Sequence, residues 1–393
     1  MSKIHPSFLA SACLSLAIAI GGVGLPAGSS VPLRVINSAA LQSAEFSALG
    51  LDEQLWGGGG DRSSLIQSIN YSLRYLDTPT AAAAYRQYPV RSITRDRVRR
   101  SLIRFRDLLQ TTESAAALRA AVLSEFAIYQ SVGNDGLGTV DFTGYFEPNY
   151  AASRVSTAEF RYPLYRLPPS LSRWPRPHPT RAALEGVDGL QGERGRLRGL
   201  ELVWLRDRLE AYLIQVQGSA RLTLTDGSTM TVGYAGRTNR SYVSIGRQLV
   251  NDGKLPEAGL TLPAVLAYFD QHPNELNTYL PRNNSFIFFR DTGGAPATGS
   301  LNVPVTAERS IATDKTLMPP GALALIRTQI PFLNPQGQLE PQNVSRFVLD
   351  QDRGGAIRGA GRVDIFVGTG PLAGDRAGLI NNTGQLYYLL LKE

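Results

Sequence analysis

The sequence has few of the residues that build disulfide frameworks and zinc centres. Its 393 residues contain one cysteine and three histidines, His5, His178 and His272. A single cysteine excludes an intramolecular disulfide framework and a metal site built from several thiolates. The histidines form neither an HxH nor an HExxH pattern, so a zinc hydrolase is not expected. The chain also has no GxSxG elbow and no P-loop, and we predict neither a metal nor a cofactor.

A strong excess of one charge is also absent, because 40 basic residues against 33 acidic ones leave a net charge of +7. Arginines cluster at Arg95, Arg97, Arg99 and Arg100. No aromatic side chains accompany them for base stacking, so we predict that they lie largely on the solvent side of a helix. Nucleic acid is therefore not an expected partner. The modest positive charge suits an anionic polymer without identifying it.

Long apolar runs are scarce, and the one present covers residues 8–25 and follows Lys3. This arrangement is typical of a secretory signal peptide, which we predict over residues 1–30. It predicts export to the periplasm or cell envelope, with a body that is soluble there. Two alternatives stay open, an uncleaved membrane anchor and lipidation at Cys13, and either would attach the protein to a membrane such as the outer membrane.

Hydrophobic periodicity predicts helices in the first part of the body. Apolar residues recur every three to four positions within 65–73, 98–109 and 115–129. Residues 31–138 are therefore predicted to form a connector followed by helices. Two further helices are predicted at about 242–250 and 262–270.

From residue 139 onward the pattern predicts mainly strands. The run 212–216 is predicted as β, and 221–232 is predicted as a hairpin that turns at Asp226-Gly227. After residue 285, five short strand segments with glycine-rich connections favour a barrel over a doubly wound sheet.

Carboxylates remain as the candidate catalytic groups. Asp314, Asp352 and Asp364 each interrupt or border an apolar β segment. Aspartate is a poor strand former, so a strand that keeps one usually uses it in a turn, an ion pair or a reaction. Asp364 is the clearest case, because apolar residues flank it on both sides.

The chemistry open to Asp364 depends on its surroundings. Burial would raise its pKa, and a protonated carboxyl can donate to a glycosidic oxygen. Asp352 would add like-charge repulsion in the same direction. The alternative is a purely structural ion pair with Arg362 or Arg358. Glu147 is another candidate acid, although the proline that follows it also fits a structural strand end.

Eight short motifs follow one another through the second part of the chain. They are TGYFEP (143–148), YPLYRLPP (162–169), VQGS (216–219), VGYAG (232–236), YVSIGR (242–247), NSFIFF (284–289), DRGGAI (352–357) and VDIF (363–366). Together they resemble the membrane-bound lytic murein transglycosylase A (MltA) family, whose C-terminal 3D domain is named for three aspartates. The resemblance covers about residues 139–393.

The resemblance implies a mainly β fold with a helical N-terminal part. A double-psi β-barrel would combine residues 139–149 with 240–393, and its 3D domain would lie at about 285–393. A smaller β-barrel would be inserted at 150–235 and would bind substrate. A glycan strand would lie in the groove between the two units.

The resemblance also implies an activity, that of a peptidoglycan lytic exotransglycosylase, a carbon–oxygen lyase acting on polysaccharides. The family's catalytic aspartate maps onto Asp364, its assisting neighbour onto Asp352, and the first of the three aspartates onto Asp314. Asp364 would act first as general acid and then as base, and the products would end in 1,6-anhydromuramic acid.

Residues within the motifs are candidates for binding sugars. Aromatic rings can stack on sugar faces, polar side chains can form hydrogen bonds, and glycines let the backbone approach the sugar closely. An arginine can bind lactyl or peptide carboxylates. The candidates are Tyr145, Gln217, Gly218, Ser219, Tyr234, Gly236 and Arg247. Two alternatives remain, a hydrolase that activates water through Asp352 or Glu147, and a non-catalytic glycan-binding wall protein.

Overall fold

The structure is a computed structural model that describes residues 31–37, 50–56 and 60–393. The predicted signal peptide at 1–30 lies outside the described residues. The α-helices are α1 Arg62–Leu76, α2 Pro79–Arg86, α3 Arg95–Thr111, α4 Ala115–Glu125, α5 Arg181–Glu185, α6 Arg208–Gln217, α7 Ile245–Asn251, α8 Leu262–Gln271, α9 Leu276–Tyr279 and α10 Pro371–Leu379. The strands are β1 Leu33–Val35, β2 Phe126–Ser131, β3 Val140–Glu147, β4 Asn149–Ser153, β5 Tyr162–Tyr165, β6 Glu201–Leu205, β7 Ser219–Leu224, β8 Thr229–Arg237, β9 Ile287–Asp291, β10 Ser310–Ala312, β11 Leu323–Leu333, β12 Leu339–Asp352, β13 Arg362–Thr369 and β14 Asn381–Leu391. Within the described ranges, no helix has the length and apolar character needed to cross a membrane.

Six strands of the larger sheet close into a barrel. The order β14-β11-β12-β10-β13-β3 is completed by a second pairing of β3 with β14, while β2 and β1 continue outward from β14. Two of the pairings are parallel, β10 with β12 and β13 with β3. Residues 323–326 of β11 are all buried, because barrel strands and helix α3 pack around them.

The second sheet has the strand order β5-β6-β4-β7-β8-β9. Its β7–β8 hairpin turns at Asp226-Gly227 as predicted, and Gly227 has a φ of 82° that suits glycine. The prediction of a mainly β chain with a barrel, a second β unit and N-terminal helices is confirmed. Because β9 pairs with β8, the second sheet continues beyond residue 235, where the insertion was predicted to end.

The N-terminal helices pack on the barrel and share its hydrophobic core. Periodicity predicted α1 and α3 correctly. Tyr85 of α2 and Tyr88, which follows the end of α2, donate hydrogen bonds to the carbonyl oxygens of Pro320 and Leu317, at 2.8 and 2.9 Å. These bonds attach the helices to the loop between β10 and β11.

In the helical part, the arginine prediction is confirmed for Arg95, Arg99 and Arg100 but not for Arg97, and the predicted end of the third helix was wrong. Arg97 is buried, and its guanidinium donates to the carbonyl oxygen of Leu391 and to the hydroxyl of Tyr129. The third predicted helix ends at Glu125, and Tyr129 lies in β2. Pairing of β2 with β14 outweighs the helical periodicity of this segment.

The prediction of a β run at 212–216 was also wrong, because these residues lie in α6. The Asp207 carboxylate accepts hydrogen bonds from the backbone N–H groups of Leu209 and Glu210 and so begins the helix. Gly218 ends it in the left-handed conformation, at a φ of 84°. Both capping residues were visible in the sequence and favour a helix between them.

Candidate active site

A cleft with a volume of about 450 Å³ lies between the barrel and the second sheet. Strands β3, β10, β12 and β13 contribute to one wall, and β7, β8 and β9 contribute to the other. Most of the predicted site residues line it: Tyr145, Gln217, Gly218, Ser219, Tyr234, Asp352 and Asp364. Asp314, Gly236 and Arg247 do not.

Strand β13 presents Asp364 to this cleft. Its backbone pairs with Thr143 of β3 on one side and with Ala312 of β10 on the other, so the barrel holds the residue between two strands. Asp364 is 9% exposed, and its Oδ1 is buried without a hydrogen-bond partner among the described residues. The structural alternative, a close ion pair with Arg362 or Arg358, is not formed.

Burial raises the pKa of Asp364 from its ordinary value of 3.8 to about 7. The Thr143 hydroxyl and the Arg362 charge act in the opposite direction, while the nearby Asp352 charge raises the pKa further. Near neutral pH, both the protonated and the ionised forms of this carboxyl are therefore accessible. Such a group can donate a proton in one step and accept one in the next.

Asp352 ends β12 and is held by three donors. The Tyr145 hydroxyl donates to Oδ2 at 2.9 Å, and the backbone N–H groups of Ser300 and Arg353 donate to Oδ1 at 2.7 and 2.8 Å. The Tyr145 ring also packs against Phe366, with 5.2 Å between ring centroids. Asp352 is therefore fixed in place beside the cleft.

Glu147 is the third carboxylate of the cleft and is 2% exposed. Burial raises its pKa, while a hydrogen bond from Thr369 and the charge of Arg221 lower it less strongly. The Thr369 hydroxyl donates to Oε2 at 3.0 Å, and Nε of Arg221 lies 3.9 Å from the same oxygen. Glu147 thus has protein partners that Oδ1 of Asp364 lacks.

The side chain of Gln217 is oriented by the barrel. Its Oε1 accepts a hydrogen bond from the backbone N–H of Phe146 at 3.1 Å. Its Nε2 is buried and has no hydrogen-bond partner in the described part of the chain. This amide donor is therefore positioned for a ligand oxygen, next to Gly218 and Ser219 of the same cleft wall.

Asp314 lies behind the cleft. It accepts hydrogen bonds from the Thr316 hydroxyl at 2.7 Å and from the backbone N–H of Gly359 at 3.0 Å. Burial alone would raise its pKa, but these hydrogen bonds outweigh burial and the pKa is lowered. Asp314 therefore holds the end of the 353–358 loop, which borders the cleft, and has no direct place in it.

Two family models match the chain, the MltA specific insert domain over residues 141–290 and the 3D domain over residues 309–390. Membrane-bound lytic murein transglycosylase A of Escherichia coli K12 is 33% identical over 263 residues, which cover 66% of this chain and 68% of that protein. The chain belongs to the MltA family.

Other MltA proteins agree with this assignment. Membrane-bound lytic murein transglycosylase A of Vibrio cholerae is 33% identical over 281 residues, covering 69% of this chain and 72% of that protein. The crystal structure of Escherichia coli MltA with bound chitohexaose has a TM-score of 0.69 at 26% identity, covering 92% of this chain and 95% of that one. The similarity therefore extends through the N-terminal helices.

In this MltA family member, two predicted binding residues, Gly236 and Arg247, are not part of the cleft lining. A Cβ at Gly236 would come 2.5 Å from Cδ1 of Leu167, so this glycine permits close packing on β8. Arg247 of α7 forms an ion pair with Glu257, at 2.7 Å. Neither contact could be read from the sequence, because each depends on how separate segments pack.

Sequence reasoning also missed several residues that line the cleft, among them Arg237 and Tyr242. Arg237 directly follows the VGYAG motif, and Tyr242 is the first residue of YVSIGR. Their positions at the edges of two motifs could have identified them as site residues. Burial raises the pKa of Tyr242 well above its ordinary value, and the charge of Asp364 adds to this effect.

Proposed function

We propose that the protein is a lytic transglycosylase that cleaves the β-1,4 bond between N-acetylmuramic acid and N-acetylglucosamine in peptidoglycan. Relatives named lytic murein transglycosylase support the reaction class. The bound chitohexaose of the Escherichia coli relative supports a sugar chain as the ligand. The observation that carries the proposal is the Asp364 carboxyl, which is buried, faces the cleft and has a pKa of about 7.

The proposed reaction uses this one carboxyl twice. Protonated Asp364 gives its proton to the glycosidic oxygen as the bond from that oxygen to C1 of muramic acid breaks. The resulting carboxylate then accepts the proton of the C6 hydroxyl as O6 attacks C1 and closes the 1,6-anhydro ring. The carboxyl ends protonated as it began, and no water is consumed.

The alternative hydrolase needs a second carboxylate to activate water. Asp352 and Glu147 are the candidates in the cleft, but both accept hydrogen bonds from protein donors. In the described part of the chain, Oδ1 of Asp364 has no hydrogen-bond partner. This difference in hydrogen bonding favours the single-carboxyl route.

We further propose that the protein works in the cell envelope, where its substrate lies. The names of its relatives include the words membrane-bound. The apolar N-terminal run supports export, by cleavage or with attachment to a membrane.

The deciding experiment is a digest of purified peptidoglycan, with the sugar ends identified by mass spectrometry. We expect wild-type protein to produce 1,6-anhydromuramic ends and Asp364→Asn to produce none. Asp375→Asn, which changes a carboxylate of α10 outside the cleft lining, is the matched control and should retain the products.

Other products would overturn this function. Ordinary reducing ends would identify a water-using hydrolase. Intact glycan that still binds the protein would identify a binding module. Equal anhydro products from wild type and Asp364→Asn would remove Asp364 from the mechanism.

A further inference from the structure

Positive side chains outnumber negative ones in the cleft. The described residues that line it include four arginines, Arg237, Arg290, Arg353 and Arg358, and three carboxylates, Glu147, Asp352 and Asp364. Burial raises the pKa of both Glu147 and Asp364, which increases their neutral fraction. The cleft therefore favours an anionic ligand.

Three of the four arginines, Arg237, Arg353 and Arg358, form no ion pair and no side-chain hydrogen bond with a described residue. Arg290 donates to a backbone carbonyl oxygen of β8 at 2.7 Å, and Arg358 acts electrostatically on Asp314. No described carboxylate lies within 4.0 Å of Arg237 or Arg353, and neither of their charges is assigned to a carboxylate outside the cleft as that of Arg358 is. Neither guanidinium donates a hydrogen bond to a described residue.

The guanidinium groups of Arg237 and Arg353 both lie at the loop that follows Asp352. Arg353 begins the loop, and Arg237 approaches it from the end of β8. A Cβ at Gly355 would lie 3.4 Å from Nη1 of Arg237. Arg237 is half-buried, and a guanidinium partly removed from water gains most from an anion that accepts its hydrogen bonds.

We propose that Arg237, together with Arg353, binds a carboxylate carried by the muramic acid unit and selects peptidoglycan over neutral chitin-type strands. The carboxylate belongs to the lactyl group or to the peptide attached to it. The planar guanidinium fork matches a carboxylate in two-pronged geometry. This assignment rests on the proposed function, and it replaces Arg247 as the predicted carboxylate ligand.

The test measures binding in an Asp364→Asn background, so that no cleavage intervenes. Arg237→Gln, Arg353→Gln and the double variant are compared with Arg198→Gln, which removes an exposed charge outside the cleft. The probes are soluble peptide-bearing glycan strands, strands stripped of peptides by an amidase, and chitohexaose. Circular dichroism and thermal unfolding check that each variant is folded.

We expect Arg237→Gln to weaken binding of a carboxylate-bearing strand roughly tenfold, with a smaller loss for Arg353→Gln. Chitohexaose binding should change less than about twofold, and Arg198→Gln should leave all three affinities unchanged. Loss confined to peptide-bearing strands identifies peptide carboxylates. Loss on stripped strands identifies the lactyl carboxylate.

Equal loss on chitohexaose and on charged strands would overturn the inference, because it would mean that the arginines only shape the cleft. Unchanged affinity on all probes would also overturn it. If wild-type protein fails to cleave peptidoglycan, the proposed function fails, but these binding measurements still decide whether the arginines recognise a carboxylate.

Discussion

Two buried aspartates of the barrel, Asp364 and Asp350, differ in what their oxygens contact. Burial raises the pKa of both. Asp350 of β12 accepts hydrogen bonds from Thr313 at 2.8 Å and from Tyr388 at 2.7 Å, and it also pairs with Lys315. Oδ1 of Asp364 has no such partner among the described residues. Burial alone therefore does not identify a reactive carboxyl. The two aspartates differ in the hydrogen-bond donors that surround them.

The two aspartates also differ in where they lie in the molecule. Asp350 is fully buried inside the barrel, on the side of Tyr85 in α2 and of Tyr88 just after it; burial raises the pKa of both tyrosines, and the charge of Asp350 adds to this effect. Asp364 faces the cleft, where a ligand can reach it. One carboxyl is used to hold the fold, and we propose that the other is used in chemistry.

The largest expected effect is on catalytic rate. Asp364→Asn removes the proposed acid and base together, so kcat on peptidoglycan should fall on the order of 10³-fold. Asp350→Asn should leave kcat within about tenfold when assayed well below its unfolding temperature. If both variants are fully folded and lose kcat to a similar extent, the number of hydrogen-bond donors around each aspartate does not distinguish their roles.

The next effect is on the pH dependence of stability. The carboxyl of Asp364 ionises near pH 3.8 in the unfolded chain and near pH 7 in the folded one, so the folded state holds the extra proton between these values. The free energy of unfolding therefore falls as pH rises through this window. Asp364→Asn should gain up to about 4 kcal/mol relative to wild type between pH 3 and pH 8.

Denaturant unfolding at several pH values measures this gain. A constant difference between Asp364→Asn and wild type across the window would contradict the raised pKa. Asp226→Asn is a useful control, because hydrogen bonds from Ser228 lower the pKa of that exposed carboxyl and no stabilisation at high pH is expected.

Asp350→Asn should lower the free energy of unfolding by about 3 kcal/mol, because it leaves the Lys315 ammonium without its anionic partner. Chemical denaturation near pH 7 measures this loss. Asp350→Asn combined with Lys315→Met should recover part of it. Additive losses in the double variant would mean that the pair contributes no coupling energy.

The smallest effect concerns the residue that holds Asp352. Tyr145→Phe keeps the ring against Phe366 but removes the 2.9 Å hydrogen bond to Asp352. We expect kcat/KM to fall a few-fold, with stability nearly unchanged. Steady-state kinetics on soluble glycan strands would detect this change, and a loss as large as that of Asp364→Asn would give Tyr145 a direct role.

Local signals in the sequence predicted the local parts of the fold. The Asp226-Gly227 turn and the periodicity of α1 and α3 depend on neighbouring residues only, and these predictions were confirmed. The end of α4 was wrong because β2 pairs with β14, more than 250 residues away in sequence. The helix at 212–216 was missed although Asp207 and Gly218 marked its two ends.

The candidate site divides in the same way. The residue types in the motifs predicted Asp364, Asp352 and Gln217 as site residues, and all three line the cleft. The sequence could not reveal that Asp314 binds the backbone of Gly359 or that Arg247 pairs with Glu257, because both contacts depend on how separate segments pack. Their catalytic and binding roles remain predictions that the variants above can test.

The contact between Tyr145 and Asp352 joins residues that are 207 positions apart in the chain. The strand that carries Asp364 likewise pairs with β3, which precedes it by a similar distance. During synthesis the N-terminal part emerges first, so a growing chain contains β3 long before the proposed acid, Asp364, has been made. An activity that needs both strands can therefore arise only after most of the chain has been made and folded.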